Sequence, residues 1–365
     1  MSKVFAYRQL FSFSKNIFLK IGCSETDAET AATSLLSADI RGVDSHGVAR
    51  LVGYVRLWEA KRVNAKPQIK IIHQTPSTAT IDGDAGLGLV VAPFAMNIAI
   101  EKAKQVGTGW VAVKNSNHFG IAGSHAMMAL QHDMIGITMT NASALVAPTF
   151  SVEKMLGTNP IAVAIPAGEE PSFVADFATT TAANGKLEML QRKNAEMPTG
   201  WAQTKDGEPS TDPYALKNGG ALLPLGGDRE HGSHKGYALG AIVDIFSAVL
   251  SGANYGPWVP PFPAYIAMPE NMPGEGIGHF FGAMRIDAFR PAEDFKLHMD
   301  KWIQRFRSAK TIAGEQRVFI PGDIEREMEA IRMKEGIELL QPVIDELRSL
   351  GEKFGVELPN PPEAT

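Results

Sequence analysis

The spacing of apolar residues changes period twice along this chain, and that change constrains the fold more than any other feature. In the first sixty residues the period is helical: Ala28, Ala31, Ala32, Leu35, Leu36 and Ala38 form one stripe. Ser24 or Thr26 stands ahead of it as an N-cap, and Glu29 follows Thr26 by three residues, as in a capping box. A second helix is expected from about Ser45 to Ala60. In the middle, short apolar runs stand between glycine-bearing turns: 79–81, 110–113, 135–139, 161–165 and 173–175. Such runs read as strands. Helical patterns lie between some of them, at 90–105 and 123–131. A proline-rich loop follows at 257–273, and from Pro291 charged helical patterns return, the last over 335–354. The expectation is an α/β chain. A mixed-sheet unit over 76–314 would carry the site. A helical unit would be built from both chain ends, 1–75 with 315–365.

Composition narrows the function. With 365 residues, 44% hydrophobic and 21% charged, the chain can bury a large core. The net charge is -5 and no Lys/Arg run is long, so neither nucleic acid nor a membrane surface is an expected partner. One cysteine, Cys23, cannot form an internal disulfide, and the first residues carry no signal-like apolar run. A cytoplasmic protein is expected. The apolar stretch 237–250 contains Asp244 and is short for a membrane span, so it reads as a buried helix.

Two polar strings carry chemistry. In Asp44-Ser45-His46-Gly47-Val48-Ala49-Arg50, a helix capped by Asp44 or Ser45 puts His46 and Arg50 four residues apart on one face. An imidazole can move a proton near neutral pH, and a guanidinium can clamp a carboxylate with two hydrogen bonds. Ser45 adds a hydroxyl. The same residues would equally serve a capped surface helix. Asn115-Ser116-Asn117-His118-Phe119-Gly120 follows a strand, where ligands sit in α/β folds. His118 there is a second acid–base candidate, or part of a turn whose amides bond their own backbone. His118, His125 and His132 recur every seven residues without carboxylates at ligand spacing, and His231 and His234 lack the acidic member of a zinc-hydrolase motif, so no metal is expected. Gly83-Asp84-Ala85-Gly86-Leu87-Gly88 fails as a dinucleotide fingerprint: it holds an acid, is followed by Val91 where the last glycine should be, and lacks a full strand before it. Lys235 opens the apolar helix, where free N–H groups favour an anion.

Taken in order, 44–51, 115–123, 157–166, 174–188, 234–246 and 321–323 resemble the malate/L-lactate dehydrogenase family that is unrelated to the Rossmann-type enzymes of those names. The resemblance spans nearly the whole chain. It implies a non-Rossmann α/β fold, a homodimer with the site near the subunit interface, and hydride transfer between NAD (or NADP) and C2 of a small 2-hydroxy or 2-oxo acid. Malate/oxaloacetate is the expected pair, with lactate, ureidoglycolate, diketogulonate or a cyclic imino acid as alternatives. By the resemblance His46 and His118 are the proton-transfer candidates, with Ser45 beside them; Arg50, Thr158 and Asn159 face the substrate. Asn141, Asp176, Ala178, Thr180, Lys235 and the turn Pro321-Gly322-Asp323 face the cofactor. That turn carries Asp323 where the family more often has Glu. A second substrate carboxylate would call for a further cation, with Lys186, Arg192 and Lys193 as candidates. Competing classes are a metal-dependent hydrolase on His231 and His234 and a non-catalytic ligand-binding protein.

Overall fold

The computed structural model describes residues 2–360. The helical stripe of the N-terminal part folds as α1 (Tyr7–Lys20) and α2 (Glu25–Ile40). Ser24 caps α2 by accepting the Asp27 N–H, so the expected Thr26–Glu29 box is not used. The expected continuous helix from Ser45 is also corrected. Asp44–His46 and Val48–Arg50 are two 3-10 turns, and only then does α3 (Leu51–Glu59) begin. Strand β1 (Ser2–Phe5) precedes all of these. It pairs antiparallel with β12 (Ile337–Leu340), Ser2 opposite Leu340 and Phe5 opposite Ile337. One core joins the two ends of the chain: Phe13, Ile17 and Leu36 pack with Ile337, Ile344 and Leu347, the last two from α10 (Gln341–Phe354).

The central sheet holds seven strands: β2 (Lys70–Gln74), β3 (Thr78–Asp82), β4 (Thr108–Ser116), β5 (Met134–Thr140), β6 (Ile161–Ile165), β7 (Phe173–Phe177) and β11 (Ile277–Arg285). Their order is β2-β3-β4-β11-β5-β6-β7. Strands β3 and β4 run parallel, joined through α4 (Gly88–Val106), and the other neighbours are antiparallel. This is a mixed sheet with helices and not a Rossmann fold. Helix α4 and the short α5 (Ala122–Met127) cover it with alanines: Ala92, Ala95, Ala99 and Ala126 all lie in its core. Small side chains let helix and sheet approach closely. A three-stranded flap, β8 (Ala202–Gln203), β9 (Pro209–Ser210) and β10 (Ala221–Leu222), packs with α6 (Asn184–Lys193) around Leu187.

Helix α7 (Ser233–Asp244) runs on into a π-helical turn, Ile245–Val249. It is not the buried helix expected. Gly236, Gly240, Val243 and Ser247 face inward, while Tyr237, Ile242, Ile245, Phe246, Val249 and Leu250 are exposed. Asp244 is buried because its carboxylate accepts from Asn141 Nδ2 (2.9 Å) and the Gly256 N–H (2.8 Å). Among the described residues no helix is long and apolar enough to cross a membrane. Helices α8 (Ala292–Arg307) and α9 (Asp323–Glu335) complete the chain's C-terminal part.

Candidate active site

The 44–50 turn is shaped by one buried acid. Asp39, in the last turn of α2, accepts the Val48 N–H (2.8 Å), the first donor of the turn that leads into α3. A Cβ on Gly47 would collide with that carboxylate, so glycine lets the turn close onto it. The close approach for which Gly47 is needed is thus internal. Burial, opposed by the Val48 hydrogen bond, pushes Asp39 up to about 8. Arg332 of α9 clamps the turn from outside, donating to the Asp39 carbonyl and pairing with Asp44.

His46 and Arg50 therefore do not share a helix face, yet they meet. Arg50 Nε donates to Ser45 O (2.6 Å), and Ser45 Oγ lies 2.8 Å from His46 Nδ1. The His46 ring stacks on His118 (centroids 5.5 Å, 23°). All four residues are half-buried. Burial, then the Arg50 charge, brings His46 down to about 4. Burial, then His46 and Arg50, holds His118 well below its usual value. Both imidazoles are neutral near pH 7.

Tyr54, one helical turn beyond Arg50, is a member that the sequence did not single out. It is fully buried, and its hydroxyl is 2.6 Å from His118 Nδ1. Burial raises its pKa, so the phenol keeps its proton and donates it to Nδ1. The His118 proton then sits on Nε2. The loop bearing His118 is held from beneath. Asn117 Nδ2 donates to Ala85 O (2.9 Å) and Gly86 O (3.0 Å). The glycine turn 83–88 does follow a full strand, β3, contrary to expectation, but it cradles this loop: a Cβ on Gly88 would collide with the Asn117 carbonyl. Buried His279 of β11 bonds Ser116 Oγ (2.8 Å) and Thr140 Oγ1 (2.7 Å) and stacks on Phe119 (4.7 Å, 17°).

The cofactor and substrate candidates fall into two groups. Asp176, the last residue but one of β7, is exposed, and one of its carboxylate oxygens accepts the Gly123 N–H (2.7 Å). Ala178 is half-buried beside it. Pro321 O accepts the Val174 N–H (3.0 Å) and Gly322 packs on Val174, which brings the 321–323 turn to the same strand. Lys235 is exposed in the first turn of α7. The other group is committed within the protein. Asn159 is fully buried, with Oδ1 on the Ala142 N–H and Nδ2 on Gly240 O. Asn141 is used up by Asp244, Asn254 O and the Gly278 N–H. Thr180 Oγ1 donates to Ala182 O, and the Thr158 carbonyl accepts from Thr179. Asp323 is buried between Arg307 and Arg326 and accepts the Ile320 N–H. The 44–50 turn lies near α6: a Cβ added to Gly185 would be at van der Waals distance (3.5 Å) from Ser45 Cβ.

His231 pairs with Asp228 and His234 with Arg229 on the surface, and no group of three potential metal ligands occurs among the described residues. Two stacked neutral imidazoles beside a guanidinium form a candidate site whose groups are of the kind that acid–base work on a small carboxylic acid requires. The family is shown by comparison with known proteins. Residues 5–348 match the malate/L-lactate dehydrogenase family. Malate dehydrogenase of Pyrococcus abyssi is 44% identical over 96% of this chain and 94% of its own. L-sulfolactate dehydrogenase of Methanocaldococcus jannaschii is 38% identical over 94% and 95%. The crystal structure of malate dehydrogenase from Entamoeba histolytica superposes with a TM-score of 0.92 at 35% identity, covering 99% of this chain and 100% of that one. The chain belongs to the malate/L-lactate dehydrogenase family, and it is a hydride-transferring oxidoreductase.

Proposed function

We propose that the protein interconverts malate and oxaloacetate with NAD in the cytoplasm. The observation that carries the reading is the His46–His118 stack beside Arg50. A nicotinamide cofactor supplies or accepts the hydride when bound. The groups at the end of β7 fit it: Asp176 has a carboxylate oxygen to spare for a ribose hydroxyl, and Lys235 stands at the positive end of α7, as a diphosphate needs. Around the 321–323 turn Arg307, Arg317 and Arg326 are each paired with acids (Glu170, Glu327, Asp323), which supports NAD over a cofactor with an added 2′-phosphate.

Arg50 holds the C1 carboxylate. His118, neutral with its proton on Nε2, polarises the C2 oxygen by donating a hydrogen bond, and His46 carries the proton that the oxygen gains or loses. Ser45 orients the His46 ring. A second carboxylate has Lys186 within the first turn of α6, next to Gly185, whose open side faces Ser45. The exposed apolar side of α7 supports a homodimer in which a second copy covers it. The test is turnover of purified protein with oxaloacetate, pyruvate and other 2-oxo acids against NADH and NADPH. Oxaloacetate with NADH is expected to give the highest kcat/KM; consumption of neither cofactor with any of these acids sinks the reading.

A further inference from the structure

The loop that follows the 3-10 turn Gly256–Trp258 has no regular structure, yet it places one ring against three site residues. Phe262 tilts onto His118 (centroids 4.9 Å, 54°), meets Tyr54 edge-on (5.3 Å, 83°) and lies 5.8 Å from the Arg50 guanidinium. Helix geometry explains the meeting. Arg50, Gly53 and Tyr54 stand at i, i+3 and i+4 at the start of α3 and share one face. On that face Gly53 is a notch: a Cβ there would sit 2.6 Å from a Phe262 ring carbon. The preceding residue is tied as well, because Arg62 donates to Pro261 O. At the root of the loop Asp244 holds the Gly256 N–H. The ring is therefore fixed, while Tyr265, Ile266 and Met268 further along are exposed.

We propose that Phe262 is the specificity-determining residue of this site, the apolar wall that limits the substrate to small 2-oxo and 2-hydroxy acids. The inference rests on the functional reading above. An acid whose C1 carboxylate lies on Arg50 and whose C2 oxygen reaches His118 spans the gap between two groups that Phe262 touches. The remaining carbons then run along the ring face, and a bulky C3 substituent meets it. The notch at Gly53 fixes how far the wall stands from the substrate.

The experiment compares kcat/KM for phenylpyruvate with that for oxaloacetate in the wild type, Phe262→Ala and Gly53→Ala. Removing the ring should raise the bulky-to-small ratio by about tenfold or more, chiefly through KM. Gly53→Ala keeps the ring but fills the notch that seats it, which moves the wall, so the ratio should shift by more than about twofold. Alanine favours the helix at position 53, so this variant decides the matter even if Phe262→Ala does not fold. A wild type that reduces oxaloacetate while the ratio stays within about twofold in the folded variants overturns the wall and leaves the functional reading standing. A wild type with no turnover overturns the reading, and this inference with it.

Discussion

At the residue scale the site consists of two imidazoles whose neutral forms are favoured by burial and by one guanidinium. On the proposed reading neutral His46 takes the proton from a hydroxy acid, so oxidation needs no prior titration near pH 7. In the reductive direction the same reading requires His46 to be charged first. A substrate carboxylate on Arg50 offsets the guanidinium charge that helps to depress His46, so binding the acid draws a proton onto the ring. We expect His46→Ala to lose about 10²–10⁴-fold in kcat while the Kd for NADH, read by fluorescence, stays near wild type. His118→Ala should lose less; the reverse order would make His118 the proton carrier. His46, Arg50 and His118 could be singled out as candidates because few side chains can clamp a carboxylate or titrate near neutrality, while Asn141, Asn159, Thr180 and Asp323, singled out as well, are bonded within the protein. Tyr54 and Phe262 were not singled out: a Tyr inside an apolar helix stripe reads as core, and its partner His118 lies 64 residues away.

At the element scale the decisive local structure is the pair of 3-10 turns at 44–50. The expectation of a regular helix placed His46 and Arg50 side by side for the wrong reason. Gly47 breaks the helix so that the chain can close on Asp39, and the Arg50–Ser45 bond then gathers the groups. Gly47→Ala should destabilise the protein by about 1–3 kcal/mol, since neither the Asp39 carboxylate nor the helix behind it can retreat. Chemical denaturation measures this; an unchanged midpoint with an unchanged slope would remove Asp39 as the support of the turn. The strands β3, β5, β6 and β7 were readable as apolar runs between turns. The central β11 was not, because Gly278, His279 and Gly282 interrupt its pattern, and glycine usually argues against a strand interior. Here a Cβ on Gly282 would collide with the Trp110 ring and one on Gly278 with the Ser247 carbonyl. The short strands β1 and β12 were hidden for another reason: each abuts a helix, and their pairing joins positions as far apart as Ser2 and Leu340.

For the whole molecule, two properties follow. The first is a pH dependence of stability. Asp39 has a native pKa of about 8, against roughly 3.9 in an unfolded chain. Between those values the native state binds the extra proton, so this group's contribution to stability falls as pH rises through the window to about 8. Asp39→Asn should flatten the decline that urea unfolding shows between pH 6.5 and 8; an identical slope in both proteins would contradict it. The second is assembly. Ile245→Lys, on the exposed side of α7, should convert a dimer to a monomer in light scattering, and a wild type that is itself monomeric would refute the proposed role of that face. The pairing of the chain ends has a consequence of its own for biosynthesis. The N-terminal helices leave the ribosome first, but the core they belong to waits for Ile337, Ile344 and Leu347. At roughly 5–20 residues per second, Phe13, Ile17 and Leu36 stay without their partners for roughly 15–60 s of translation. The interval in which a nascent chain of this kind needs chaperone shelter is thus set by the length of the sheet inserted between the two halves of its helical core.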